Sequence, residues 1–252
     1  MHQGSLMKVA LCLYGPYRQF NLITDAFRQH LFGHLSVDVF LCVYDAAAMG
    51  LYPAEPLHPR HTHQQNETSL QRNKFAILPY IGTKAIETFD LETTTFTSAV
   101  SKLRDKIGIA VDKYPLVFWA NLWAQERVVD LKNNFGQKYD YVIVSRADIL
   151  YQNSLPSWCF QTDKLTLHRK FGCSKPCDFW YMGNENITTV AAQRLDNFPS
   201  DSKHPHQLFT EHLQKHNIPW SFADLPLNVV QRRYTGWWYT PYIPDPNLPK
   251  VI

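Results

Sequence analysis

A serine, an arginine and an aspartate lie at the end of an apolar run near the middle of the sequence. The run is YDYVIVSRADILY, residues 139–151, and it places Arg146 and Asp148 two positions apart. A carboxylate at the exit of a buried strand commonly holds Mg²⁺ or Mn²⁺ against phosphate oxygens. Side chains two positions apart on a strand also share one face, so the same residues can form a structural ion pair. The residues alone give these two interpretations about equal weight.

Residues capable of chemistry also follow the first apolar run, KVALCL at 8–13. The turn after it contains Tyr14, Gly15 and Arg18. A glycine lets the backbone approach a ligand, and an arginine at a helix start suits a phosphate or a nucleotide. The pattern alone favours an ordinary strand-to-helix turn with a solvated Arg18, because a single glycine is far weaker than a complete phosphate-binding motif.

Asp45 directly follows another apolar run, VDVFLCVY at 37–44. Its carboxylate can bind a ribose hydroxyl or cap the segment that follows, and capping is the favoured alternative. Ligands of open α/β sheets bind beyond the carboxyl ends of the strands. The exits of all three runs are therefore the candidate ligand site.

The elements that must position these residues alternate between strand and helix. Apolar residues at helical spacing predict a helix over about 18–32, which completes a strand–helix–strand unit with a parallel crossover. Further strands are predicted at 85–89, 164–168 and 179–182, and further helices at about 187–197 and 205–216. The fold class is α/β, with a mostly parallel central sheet flanked by helices.

The clearest helix covers residues 115–134. Large apolar side chains such as Trp119 and Trp123 lie on one side of it, and Asn121 and Gln125 lie on the other. This two-sided pattern is typical of a helix that packs one face against a core.

The length suggests one large domain or two small ones, and one α/β domain of this size is common. The chain has 252 residues and a formal charge of +3, which is too mild for a nucleic-acid-binding surface. Residues 1–6 look like an expression remnant, and residues 7–252 are expected to form the domain. Residues 45–83 hold several prolines and histidines and predict a long loop or insertion. The proline-rich tail at 235–252 predicts an extended segment.

The sequence predicts neither a membrane span nor a disulfide framework. No apolar stretch is long enough to span a bilayer and no signal peptide precedes the first strand, so we expect a cytoplasmic protein, compatible with peripheral association. Cys12 and Cys42 lie in apolar runs and are expected to be reduced. Cys173 and Cys177 lack two further ligands of a zinc site, which favours free thiols.

Three stretches, ALCLYGPYR, VDVFLCVYD and YDYVIVSRADILY, occur in an order that resembles a group of GT-A-type glycosyltransferases. The group includes WavE-like lipopolysaccharide-synthesis proteins and related bacterial and viral enzymes. Its pattern continues with an acid followed by aromatic residues and a glycine, which Asp178 and DFWYMG match, and with a glutamate on a later helix, which Glu211 matches. The resemblance covers residues 8 to about 216.

The resemblance implies a single GT-A-like, Rossmann-like domain that moves a sugar from a nucleotide-diphosphate donor to a hydroxyl of a glycan acceptor, as in polysaccharide biosynthesis. It also implies Mn²⁺ or Mg²⁺, held by the last acid of an Asp-x-Asp motif. Asp148 matches that acid, but Arg146 occupies the position of the first acid. The residues expected around the nucleotide are Tyr14, Gly15, Arg18, Asp45 and Arg146.

Asp178 is the predicted catalytic base if the enzyme inverts configuration, because it precedes three aromatic residues that suit a sugar. A structural turn aspartate is a nearly equal alternative. Glu211 can bind donor or acceptor sugar, although a lone helical glutamate is more often solvated. His204 and His206 can supply a further metal ligand, although most such histidines bind nothing. The alternative function is a non-catalytic carbohydrate- or nucleotide-binding module on the same fold.

Overall fold

The computed structural model describes residues 7–16, 26–32, 35–44, 83–89, 93–107, 116–169, 176–195, 205–225 and 227–229. Several predictions fall outside these residues. They concern nearly all of the insertion, the tail and the positions of Arg18, Asp45, Cys173 and His204. The side chain of His206 is also outside the description.

Nine strands and four α-helices occur within the described residues. The strands are β1 (Lys8–Pro16), β2 (Ser36–Tyr44), β3 (Thr83–Phe89), β4 (Tyr141–Arg146), β5 (Ile149–Tyr151), β6 (Leu165–His168), β7 (Trp180–Gly183), β8 (Trp220–Ala223) and β9 (Leu227–Val229). The α-helices are α1 (Thr94–Ile107), α2 (Leu116–Asn134), α3 (Glu185–Ala192) and α4 (Pro205–Lys215). A π-helical turn, Arg28–Phe32, lies between β1 and β2, and a 3₁₀ turn, Ser157–Cys159, precedes β6.

Seven strands form the main sheet, in the spatial order β3–β2–β1–β4–β7–β6–β8. β1 pairs in parallel with β2 and with β4, β2 with β3, and β6 with β8. β7 runs antiparallel to both of its neighbours, β4 and β6. The predicted α/β class with a mostly parallel sheet is therefore confirmed.

The central strands are apolar because both of their faces are covered. Alternate residues of β1, such as Ala10 and Cys12, belong to one core cluster, and Leu11 and Leu13 belong to the cluster on the opposite face. Parallel strands buried on both faces lose the alternation of apolar and polar residues. This is why the strand runs were visible as continuous apolar stretches in the sequence.

The order of the strands creates a topological switch point at the carboxyl ends of β1 and β4. The chain passes from β1 to β2 on one side, and β4 later pairs with the other side of β1. Ligands of such sheets bind at this switch point, beyond the carboxyl ends of the strands. Because β7 is antiparallel, its amino-terminal end lies at the same edge, with Trp180 paired to Ser145.

Helix α2 differs from its predicted two-sided pattern. Gln125 is completely buried and Asn121 is only partly exposed, so this side of α2 is not a solvent face. The two amides face strand ends and loops to which they can hydrogen bond, which stabilises polar groups in a buried position. The polar side of α2 therefore lies against the carboxyl ends of the central strands.

Two other elements depart from the sequence-based expectation. α1 was not predicted, because four threonines around its start mask the helical spacing of Phe96, Val100 and Leu103. α3 ends at Ala192 instead of about residue 197. Its early end releases Arg194 from the helix and allows it to extend toward the sheet.

Candidate functional site

Tyr14 lies at the carboxyl end of β1, opposite Arg146 of β4. Its hydroxyl donates a hydrogen bond to the backbone oxygen of Asp178 at 2.6 Å, and its own backbone oxygen accepts from the amide of Ala147 at 2.7 Å. Burial raises the pKa of Tyr14 well above its ordinary value, and the Asp178 carboxylate raises it further. The phenol is therefore a fixed donor that joins the ends of β1 and β4 to the start of β7.

Gly15 has a positive φ of 96°, a conformation that favours glycine. A side-chain carbon at this position would lie 2.8 Å from Oδ1 of Asn121. The same Oδ1 accepts a hydrogen bond from the hydroxyl of Tyr44 at 3.0 Å. In the structure the close approach that Gly15 permits is made by Asn121 of α2.

Arg146 and Asp148 form a two-pronged ion pair at the exit of β4. Nε of Arg146 donates to Oδ1 of Asp148 at 2.9 Å, and Nη2 donates to Oδ2 at 2.6 Å. The Asp148 side chain is completely buried and the Arg146 side chain is 8% exposed. Burial alone lowers the pKa of Arg146, but the charge of Asp148, the hydrogen bonds to it and the nearby Tyr14 and Tyr44 together raise this pKa above its ordinary value. The structural ion pair considered from the sequence is thus formed.

Asp178 lies just before β7, where it is held by Arg194 and Gln125. Nη1 of Arg194 donates to Oδ2 of Asp178 at 2.9 Å, and Nη2 of Arg194 donates to Oε1 of Gln125. Nε2 of Gln125 donates in turn to the backbone oxygen of Asp178 at 3.1 Å. The Asp178 carboxylate is therefore oriented by a buried guanidinium and remains 13% exposed at the edge of the sheet.

Aromatic rings support both guanidinium groups. The Arg146 guanidinium carbon lies 4.5 Å from the centre of the Phe179 ring, and that of Arg194 lies 4.8 Å from the Phe209 ring. Stacking of this kind stabilises an arginine and fixes its plane. The residues that share these contacts, here named the carboxyl-edge cluster, are Tyr14, Gln125, Arg146, Asp148, Asp178 and Arg194.

Five of the predicted site residues lie together at the carboxyl ends of the strands, and one further described residue, Glu211, lies elsewhere. Tyr14, Gly15, Arg146, Asp148 and Asp178 are brought together. Glu211 lies on α4, where its carboxylate accepts from Gln207 one turn earlier at 2.7 Å. Within the described residues, no hydrogen bond or ion pair connects Glu211 to the carboxyl-edge cluster.

Gln125, Asn121 and Arg194 were missed by the sequence analysis. The first two had a detectable signal, since Gln125 and Asn121 are amides four positions apart in the otherwise apolar first half of the helix. No signal in the sequence marked Arg194, because an arginine near the end of a short helix is ordinarily solvated. Its partners Gln125 and Asp178 lie 69 and 16 positions away in the sequence.

A divalent cation does not fit the donor set of the described residues. Both carboxylate oxygens of Asp148 already accept from Arg146, and the side chain has no exposed surface. Mg²⁺ prefers oxygen ligands with several retained waters, and an adjacent guanidinium opposes a second cation. No group of three or more His, Cys, Asp or Glu side chains suited to a metal occurs in the part of the chain that the structure describes. The predicted metal role of Asp148 thus stays a prediction that this geometry does not support.

No protein-family model and no curated protein matches this sequence. No helix among the described segments combines the length and the apolar character needed to cross a bilayer.

Proposed function

We propose that the chain is a glycosyltransferase, which moves a sugar from a nucleotide-diphosphate donor to a hydroxyl of a glycan acceptor on a GT-A-like domain. The observation that supports this is the carboxyl-edge cluster at the switch point of the sheet, where two arginines and two carboxylates meet. Nucleotides bind α/β sheets at this position, and arginines recognise phosphate oxygens through paired hydrogen bonds.

In the proposed reaction the acceptor oxygen forms a bond to the anomeric carbon, and the bond from that carbon to the diphosphate oxygen breaks. The proton of the acceptor hydroxyl passes to the carboxylate of Asp178, and the electron pair leaves with the nucleoside diphosphate. Arg146 and Arg194 stabilise the charge that develops on the departing group. Arg18 and Asp45 belong to the nucleotide surroundings in this proposal, since they follow the ends of β1 and β2 directly in sequence.

We assign the acceptor to a cavity that residues of α1 and α2 line. Its volume is about 450 Å³, and Glu126 and Leu195, the sequence neighbours of the cluster residues Gln125 and Arg194, contribute to its lining. Hydroxyl and amine groups of α1 line it together with apolar side chains such as Trp123, as expected for a small-ligand pocket. The substitution Ser98→Trp, which fills this cavity, is expected to raise the KM for the acceptor and leave hydrolysis of the donor unchanged.

The function is tested by release of nucleoside diphosphate from a panel of nucleotide sugars, with and without glycan acceptors. We expect turnover with at least one donor, and we expect Asp178→Asn to lower kcat by about 100-fold or more, as for loss of a general base. Asp163→Asn is the matched control, because Asp163 is exposed in the loop before β6 at the opposite edge. Full activity of Asp178→Asn would remove Asp178 from the chemistry.

The alternative is a non-catalytic module that binds a nucleotide or carbohydrate. One observation favours it, namely that both carboxylates of the cluster are already paired with arginines. A carboxylate that is paired before the ligand arrives is suited to hold an arginine for ligand binding. Saturable donor binding without turnover across the whole acceptor panel would select the module, and steady turnover would select the enzyme.

A further inference from the structure

Arg146 has hydrogen-bonding capacity that the described protein does not use. A guanidinium carries five N–H groups. Those of Arg146 make two hydrogen bonds, both to Asp148. The other N–H groups make no hydrogen bond to a described residue, and none of the Arg146 nitrogens is among the buried atoms that lack a partner, so these donors lie at the 8% of the side chain that is exposed. Accessible guanidinium donors can bind a ligand that accepts hydrogen bonds.

A second guanidinium at the same edge shows the same property. Arg194 uses Nη1 for Asp178 and Nη2 for Gln125, whereas its buried Nε has no partner within the described residues. The backbone oxygen of Asp178 accepts from Tyr14, and the amide of Arg146 donates to the oxygen of the next residue, Phe179, at 2.9 Å. The guanidinium of Arg194 donates to the Asp178 carboxylate and that of Arg146 stacks on the Phe179 ring, so both guanidinium groups lie around one short segment of the chain.

The carboxylate partners keep these arginines fixed before a ligand arrives. Asp148 and the Phe179 ring hold Arg146 from two directions, and Asp178, Gln125 and the Phe209 ring hold Arg194. A preorganised arginine loses less side-chain entropy on binding than a mobile one. Two fixed, planar guanidinium groups are suited to donate hydrogen bonds to the oxygens of a diphosphate.

A divalent cation would compete with this arrangement. A cation bound to Asp148 lies about 2.0–2.6 Å from the carboxylate oxygens. It would then be within about 5 Å of the guanidinium charge of Arg146, where repulsion between buried charges is strong. The guanidinium occupies the position that a bound cation would need.

We propose that the carboxyl-edge cluster binds the diphosphate of its nucleotide ligand through Arg146 and Arg194, without a divalent cation. In this arrangement Asp148 is a positioning residue that holds Arg146. The inference rests on the proposed function for the identity of the ligand, but it concerns only how the diphosphate is held.

The first experiment is binding calorimetry on the full chain. The probes are inorganic pyrophosphate, which is common to every donor, and UDP, GDP, ADP and CDP. Each is titrated in EDTA and again in Mn²⁺. We expect at least one nucleoside diphosphate to bind, with affinities in the two buffers that agree within about threefold, which corresponds to less than the strength of a typical hydrogen bond.

Three variants distinguish diphosphate binding by Arg146 from binding through a cation held by Asp148. Asp148→Asn keeps the guanidinium and is expected to retain binding in EDTA, weakened by about tenfold at most, as for one hydrogen bond to a charged group. The double variant Arg146→Gln with Asp148→Asn removes the ion pair without leaving a buried charge. Its affinity in EDTA is expected to be lower than that of Asp148→Asn by a further factor of about ten or more. Arg127→Gln is the matched control, because Arg127 forms its ion pair with Glu87 of β3, at an N–O distance of 2.8 Å, and neither residue belongs to the cluster. It should bind like the unmodified chain.

The outcomes also distinguish this inference from the proposed function. Binding and turnover that require Mn²⁺, and that Asp148→Asn abolishes, would overturn the inference and leave the glycosyltransferase intact. Binding of all probes in EDTA without turnover of any nucleotide sugar would support the inference and contradict the enzyme. Absence of binding in both buffers would contradict both.

Discussion

At the residue scale, the start of β7 is fixed by hydrogen bonds from two different elements. Tyr14 of β1 and Gln125 of α2 both donate to the backbone oxygen of Asp178. A carbonyl oxygen has two lone pairs, so both donors are accommodated. Because the side chain of Asp178 is held separately by Arg194, the residue is restrained at both its backbone and its carboxylate.

Two tyrosine substitutions test the value of this contact. Tyr14→Phe removes a buried donor at 2.6 Å. It is expected to lower the free energy of unfolding by about 1 kcal/mol, because one hydrogen bond is lost while Gln125 still satisfies the carbonyl. Tyr181→Phe is the matched control, since the buried Tyr181 hydroxyl has no partner among the described residues. Its substitution should be neutral or stabilising in urea denaturation. If both variants lose the same free energy of unfolding, the assigned hydrogen bond from Tyr14 to Asp178 is contradicted.

Gly15 and Gly136 provide a second matched pair. Both have positive φ, 96° and 77°, but only a Cβ at Gly15 would meet another atom, Oδ1 of Asn121 at 2.8 Å. Alanine at either position is expected to cost about 1 kcal/mol in backbone strain. Gly15→Ala should cost about 1–3 kcal/mol more, because Asn121 or the strand must move. Urea denaturation measures both, and Asn121→Ala should restore much of the additional loss at Gly15.

Some of the site was predictable from residue types, and some was not. The two-residue spacing of Arg146 and Asp148 on a strand was sufficient to predict their ion pair as one alternative. The position of Asp178 at the same edge followed only from the antiparallel direction of β7, which a four-residue strand does not reveal in sequence. Arg194 was not predictable, because its role depends on Gln125 and Asp178, which approach it only in the folded chain.

At the element scale, α2 connects the two ends of the sheet. Asn121 and Gln125 reach the carboxyl edge, and Lys132, near the other end of the helix, is fully buried and pairs with Glu185 of α3 at 2.5 Å. A buried lysine requires such a partner, because an unpaired charge in the interior is costly. The helix was predictable from its apolar residues, but its polar contacts required the tertiary structure.

Contact between α3 and α4 makes stability depend on pH. His212 of α4 is 6% exposed, and its Nε2 contacts the backbone oxygen of Val190 of α3 at 2.7 Å. Burial lowers the pKa of His212 from 6.5 to about 4, and the positive charges of Arg194, His216 and Lys215 act in the same direction. The unfolded chain therefore binds a proton in this interval that the folded chain does not, and stability falls as pH decreases through it.

The corresponding experiment compares pH profiles of the free energy of unfolding. Between pH 6.5 and 4, His212 is expected to remove on the order of 2 kcal/mol of stability. His212→Gln, which can still donate to Val190, should have a flatter profile over this interval. His216→Gln is the comparison, because it removes only one of the smaller contributions to the lowered pKa of His212, so its profile should stay closer to that of the unmodified chain than to that of His212→Gln. An unchanged slope in His212→Gln would show that His212 does not titrate as proposed.

At the scale of the whole molecule, the sheet separates two cores that share their central strands. β1, the second half of β2 and β4 are almost completely buried, whereas β3 at one edge of the sheet is mostly half-exposed. β1 is also paired along its length to β2 and for six residues to β4. Opening β1 therefore requires disruption of both cores, whereas β3 can open with the loss of one pairing.

Hydrogen exchange measured by mass spectrometry tests this hierarchy. Amides of β1 and β4 are expected to exchange only through global unfolding, and those of β3 and α1 through local openings of lower free energy. A destabilising substitution in the core, Val142→Ala, should therefore accelerate exchange in β1 and β4 equally, while β3 changes little. If β3 instead exchanges as slowly as β1 and responds equally to Val142→Ala, the sheet unfolds as a single cooperative unit. In that case the strand ends of β1 and β4, which carry Tyr14 and Arg146 of the carboxyl-edge cluster, would have no greater protection than the periphery.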